Sequence, residues 1–280
     1  GFLLKGVTYQ RMNMFKASLD ALLSALEVDS NNTSKTSNYI VGTVAKMCQL
    51  SEEKAQTLKY METYEKLSEL GVLLFQNKKY EACISVLEAA RKFQTNQKGI
   101  TLRILLTQAN AHSQLLHIPI AIGLYQECYG MAVANHEQEY QTKALVNIAT
   151  LQLENGDTHL AIIFYEKLLH LETEILKEAG PDGDLPDYWT KELQCGLHLN
   201  LSIAYKNIGN ITCAMIHSKK YRALALKYGL NVKLMADSHR NTGLLNEILG
   251  KYNEALLCYN DFLTVCKTSG DERNVGHAYG

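Results

Sequence analysis

The sequence predicts an all-α protein, a stack of antiparallel helical hairpins. Three observations carry this. A small residue recurs with a second small residue twelve positions before it, as Gly6/Ser18, Gly71/Cys83, Ala109/Ala121, Ala149/Ala161, Ser202/Ala214 and Gly243/Ala255. Twelve residues exceed one helical face but suit two helices joined by a tight turn, where only small side chains let the axes approach to roughly 8–10 Å. Only three prolines occur in 280 residues (Pro119, Pro181 and Pro186). That scarcity favours long helices, because an interior proline costs about 3 kcal/mol. Finally, Asn77-Lys78-Lys79-Tyr80, Asn155-Gly156-Asp157, Gly209-Asn210 and Gly250-Lys251-Tyr252-Asn253 fall between the paired segments. Gly and Asn are expected to take the left-handed C-cap conformation there.

The elements follow from the second small residue of each pair. Ser18, Cys83, Ala121, Ala161, Ala214 and Ala255 are separated by 65, 38, 40, 53 and 41 residues. A period of this size marks a solenoid, whose units bury their apolar faces only by stacking. The long first interval leaves room for an added helix in the region 30–60. Tyr39, Ile40, Val44 and Met47 lie at helical spacing and place it over residues 36–49. Ser51-Glu52-Glu53 then opens the next helix with a capping hydroxyl and two first-turn acids. The interval of 53 contains Gly180-Pro181-Asp182-Gly183-Asp184-Leu185-Pro186, a loop insertion within 177–192. Each second helix carries a large residue four positions after the small one (Leu22, Leu87, Tyr125, Tyr165 and Tyr259), one turn further along the same face. One solenoid over residues 1–280 is expected.

Composition bounds the function. At 46% hydrophobic residues the chain can bury a sizeable core, and a net charge of −1 gives no global field favouring nucleic acid or an anionic membrane. No apolar stretch nears the roughly 20 residues that span a bilayer. The opening Gly1-Phe2-Leu3-Leu4-Lys5-Gly6 is too short for a signal h-region. The seven cysteines are odd in number and never spaced as CxxC, which reads as reduced thiols of an intracellular, cytoplasmic protein. Cys83 and Cys128 fall in the buried register. The sequons at Asn31, Asn32 and Asn210 read as chance matches in that setting.

The same residues resemble the tetratricopeptide repeat family. Leu67, Leu70, Gly71, Tyr80 and Ala90 fit one repeat; Leu145, Ile148, Ala149, Ala161 and Tyr165 fit another. Leu201, Tyr205 and Ala214 fit a third, and Gly243, Tyr252, Ala255, Tyr259 and Phe262 a fourth. Phe2, Gly6, Tyr9, Phe15, Leu22 and Ala25 supply a further one near the start. Repeats of about 40 residues, together with Gly270-Asp271-Glu272-Arg273 and Ala278-Tyr279-Gly280, look like the long-repeat Pins/LGN-type adaptors. The resemblance implies a right-handed superhelix whose first helices line a concave groove. On this phase both ends fall inside a helix, so a fragment of a longer protein is expected.

Within that resemblance, groove-facing positions carry the candidate site. Asn147, Asn200 and Asn241 occupy one motif position in three successive repeats. A side-chain amide donates to a peptide carbonyl and accepts from a peptide N–H, so the three read as a ladder for the main chain of a bound peptide or helix. Lys143, Lys206, Asn207, Arg240 and Glu247 surround them, with the cations selecting acidic side chains. The carboxylate clamp by which some relatives grip chaperone termini lacks its Lys and second Asn, because Val146, Leu199, Thr150, Ile203 and Leu244 stand there.

No enzyme signature (GxSxG, P-loop, HExxH or dinucleotide fingerprint) occurs. His112/His117, His136 and His198 near Cys195 do not supply the three or four convergent ligands of a zinc site. His198 and His239 read as packing groups. The acidic loop around Asp182, Asp184 and Asp187 lacks calcium-loop spacing, and no cofactor is expected. The leading expectation is a non-enzymatic scaffold that binds a protein segment. The alternatives are the regulatory arm of a larger enzyme, or a groove filled by a second copy or by residues 180–190 with Trp189 as plug.

Overall fold

A computed structural model describes residues 1–29, 32–93, 97–180, 184–228 and 232–269. Among them every regular element is an α-helix. Their order is α1 (Phe2–Arg11), α2 (Phe15–Val28), α3 (Thr33–Cys48), α4 (Glu52–Lys59), α5 (Thr63–Gln76), α6 (Tyr80–Arg91) and α7 (Lys98–Gln114). There follow α8 (Ile118–Ala134), α9 (Gln138–Glu154), α10 (Thr158–Ala179), α11 (Lys191–Asn207), α12 (Ile211–Tyr228), α13 (Val232–Ile248) and α14 (Tyr252–Ser269). The chain divides into two compact units, Gly1–Ala144 and Leu145–Gly280. Asn31, Pro181, Asp182, Gly183 and the phrases from Gly270 to Gly280 lie outside the described residues.

The small-residue pairs are the helix crossings. Ser18 Oγ donates to the Gly6 carbonyl at 2.9 Å, and Ser202 Oγ to the Ala214 carbonyl at 2.8 Å, each across twelve residues. The large residue one turn further on fills the space above the first small one. A Cβ on Gly71 would stand 2.2 Å from Leu87 Cδ2, and one on Gly243 2.5 Å from Tyr259 Cε1. Glycine is required at both because the facing side chain occupies the volume of a methyl group.

All six hairpin turns share one device. A left-handed residue sits seven positions after the first small residue: Asn13, Lys78, Leu116, Gly156, Gly209 and Gly250. The next N–H then reaches back five residues to a helix carbonyl, as in Lys79 to Leu74 at 2.9 Å and Asp157 to Gln152 at 2.8 Å. This is the closing bond of a Schellman turn, which satisfies carbonyls that the helix end leaves open. Asn77, expected in the left-handed conformation, instead has φ −87° and donates its side-chain amide to the Leu73 carbonyl at 2.9 Å. The strained conformation falls on Lys78.

In the first unit, α3 lies against α2 and α5, and α2 also meets α6. Ser51 caps α4 by accepting from the Lys54 N–H at 3.3 Å. In the second unit α10 ends at Ala179, and Thr190 caps α11 through the Leu193 N–H at 3.1 Å. Trp189, just before that cap, is 4% exposed. The markers Cys83, Ala121, Ala161 and Ala214 are fully buried, as are Cys83 and Cys128 of the predicted buried register. All seven cysteines are free thiols.

Candidate functional site

The asparagines at the repeated position do structural work that their spacing did not disclose. Asn241 on α13 is 6% exposed. Its Nδ2 donates to Ser202 Oγ on α11 at 2.8 Å and to Ser218 Oγ on α12 at 3.3 Å. Ser218 meets Thr242 Oγ1 at 2.9 Å, and Thr242 donates to the Ser238 carbonyl at 2.9 Å, which completes a buried polar network. Asn200 on α11 is half-buried and donates to the Tyr165 hydroxyl at 2.9 Å, where Thr150 Oγ1 also lies at 3.1 Å. Tyr165 and Ser218 each follow the second small residue of their hairpin by four. At Asn200 and Asn241 the repeated position therefore bonds to the preceding hairpin. Asn241 is closed to solvent and does not belong to a ladder of open amides; Asn147 on α9 is half-buried and engaged.

The charged candidates lie on the surface. In the second unit, Lys206 and Asn207 occupy the last turn of α11, half-buried and exposed respectively. Arg240 and Glu247 on α13 are both exposed. Tyr259 of α14 joins these two: its hydroxyl donates to Glu247 at 2.7 Å. Burial and the Glu247 carboxylate hold the phenol up at about 12, while the Arg240 charge pulls the other way. Lys143 on α9 is exposed and pairs with Glu139 one turn earlier at 2.5 Å.

Beneath the α11 end is a ring cluster that sequence reasoning treated as packing. Tyr205 stacks on His217 with centroids 5.6 Å apart and an interplanar angle of 8°. Its hydroxyl donates to Glu166. His217 Nδ1 lies 3.0 Å from His198 Nδ1. Burial, then the neighbouring His217 and Lys220, depress His198 to about 4, so the pair is neutral at pH 7. His198 and His239, 7% and 6% exposed, are the packing groups expected. Among the described residues no three or more His, Cys, Asp or Glu side chains gather as a metal site requires, and no helix is long and apolar enough to cross a membrane.

Comparison with known proteins identifies one repeat and the fold. Residues 142–173 match the tetratricopeptide repeat model. No curated protein matches the chain. Among solved structures, BtubC (BKLC) from P. vanneervenii is similar with a TM-score of 0.64 at 14% identity, covering 82% of this chain and 92% of that one. A variant of a putative kinesin light chain of Podosopora anserina, made of nearly identical TPR-like repeats, gives 0.57 at 14% identity over 76% and 100% of the two chains. MamA from Desulfovibrio magneticus RS-1 gives 0.55 at 12% identity over 73% and 96%. These likenesses establish the fold and do not single out the Pins/LGN-type adaptors. One segment thus matches the tetratricopeptide repeat model, and the hairpins around it have the fold of tetratricopeptide-type solenoids.

Proposed function

We propose that the chain is a protein-interaction scaffold and that the second unit holds a segment of a partner protein across α11 and α13. One observation supports this best. Lys206, Asn207, Arg240 and Glu247 reach the surface at successive first helices, while the amides between them are tied into the fold. Binding would then rest on exposed side chains rather than on a ladder of amides. Two cations against one carboxylate favour a segment bearing Asp or Glu, with charge setting selectivity and association rate more than raw affinity. Such a scaffold needs no catalytic group.

The test is an array of peptides of equal length carrying acidic, neutral or basic sequences, probed with the wild-type chain and with Lys206→Glu/Arg240→Glu. The wild type should retain a set of acidic peptides that the variant loses. The same spots lighting equally with both proteins would contradict the assignment.

A further inference from the structure

The first unit holds a cavity beside the end of the added helix α3. α3 stands between α2 and α5, so the start of α2, the end of α3 and the start of α6 converge around a hollow of about 710 Å³. Its floor is apolar, formed by Phe15, Leu19, Met47 and Ala82. Its rim is basic. Lys16 comes from α2, Lys46 from α3, and Lys78 and Lys79 from the turn before α6, against the carboxylates Asp20 and Glu81. The local balance is thus four cations to two anions in a chain whose net charge is −1.

Among the described residues only one of those cations is engaged with a carboxylate. Lys16 meets Glu81 at 2.6 Å, both largely exposed, an arrangement of little worth that an incoming acid can displace. Lys46 Nζ lies 5.9 Å from the centre of the Phe15 ring. Among the described residues Lys46, Lys78 and Lys79 face no carboxylate within ion-pair distance. The Lys79 charge is felt at the neighbouring Cys48 thiol, where it opposes the upward push of burial. The helix starts add to the field, because α2 and α6 both begin without a side-chain cap and their free N–H ends carry partial positive charge.

We propose that this cavity binds a peptide segment of a partner protein in which an apolar anchor side chain is flanked by Asp or Glu. The volume falls within the roughly 300–1,000 Å³ of ligand pockets, and the apolar floor calls for a hydrophobic side chain. The unpaired lysines arise from two separate segments, so a single small carboxylic acid satisfies one side, whereas a peptide spans both. This site lies in the first unit and is independent of the α11 and α13 surface.

The test is a selection of short random peptides on the wild-type chain, counter-selected on Lys46→Glu/Lys79→Glu. Both lysines are exposed, and a Lys46→Gln/Lys79→Gln protein repeats the measurement without introducing acids. Recovered peptides should carry an apolar residue between acids. They should bind the Glu variant about tenfold or more weakly, bind the Gln variant at intermediate strength, and bind Lys206→Glu/Arg240→Glu as tightly as wild type. Recovery of no binders, of sequences without acidic enrichment, or of peptides that these lysine changes leave unaffected would overturn the proposal.

Discussion

Replacing Asn241 with alanine separates a structural from a ligand-facing asparagine. The substitution removes two hydrogen bonds, to Ser202 at 2.8 Å and to Ser218 at 3.3 Å, at a position only 6% exposed. The hydroxyl donors keep partners, since Ser202 still donates to the Ala214 carbonyl and Ser218 still meets Thr242. The cost is therefore the net worth of two bonds and a small cavity, about 2 kcal/mol, rather than the larger penalty of an orphaned buried donor. Asn241→Asp should cost more, because a carboxylate would face two oxygens whose protons are already committed. The chain has one tryptophan, Trp189, buried in the second unit. Its fluorescence in urea therefore follows that unit. At a typical slope near 2 kcal/mol per molar, Asn241→Ala should lower the midpoint by about 1 M. The exposed Asn207→Ala should leave it nearly unchanged. Equal midpoints for Asn241→Ala and Asn207→Ala would refute the inter-hairpin role.

Three further outcomes follow from the same contacts. Gly243→Ala should destabilise the second unit by about 1–3 kcal/mol, because the new methyl meets the Tyr259 ring at 2.5 Å, whereas Gly196→Ala, on α11 with nothing within 4 Å, should stabilise it by up to about 1 kcal/mol. His198 falls from the usual 6.5 to about 4 in the folded chain, so the unfolded chain binds more protons between those values. Stability read by Trp189 should be full above pH 6.5 and decline as pH drops towards 4, by up to about 3 kcal/mol, and His198→Phe should flatten that slope. Thiol labelling of the native protein should modify Cys213 first, since the other six cysteines are buried and burial holds Cys83 and Cys128 at about 12.

The hairpins were legible because helix crossings restrict side-chain size, and that restriction repeats visibly as Gly71/Cys83 or Ser202/Ala214. The left-handed turn residue was legible where it is Gly156, Gly209 or Gly250. It was hidden at Lys78 and Leu116, where the closing bond of the turn imposes a conformation costing roughly 1 kcal/mol on a residue with no preference for it. The asparagine register was visible while its use was not. Which face of α13 the preceding hairpin covers depends on Ser202 and Ser218, 39 and 23 residues away, and periodicity carries no such information. The basic rim of the first-unit cavity was equally hidden, since Lys16, Lys46 and Lys79 form no run in sequence.

The proposed function requires that a partner segment rest on the first helices of the second unit. Lysine acetylation footprinting of the wild-type chain, with and without an acidic peptide that the array retains on the wild type and loses on Lys206→Glu/Arg240→Glu, measures this directly. The peptide should slow modification of Lys206 on α11 and leave Lys219, exposed on α12, unchanged. Unchanged labelling of Lys206, or protection of Lys219 in its place, would contradict it.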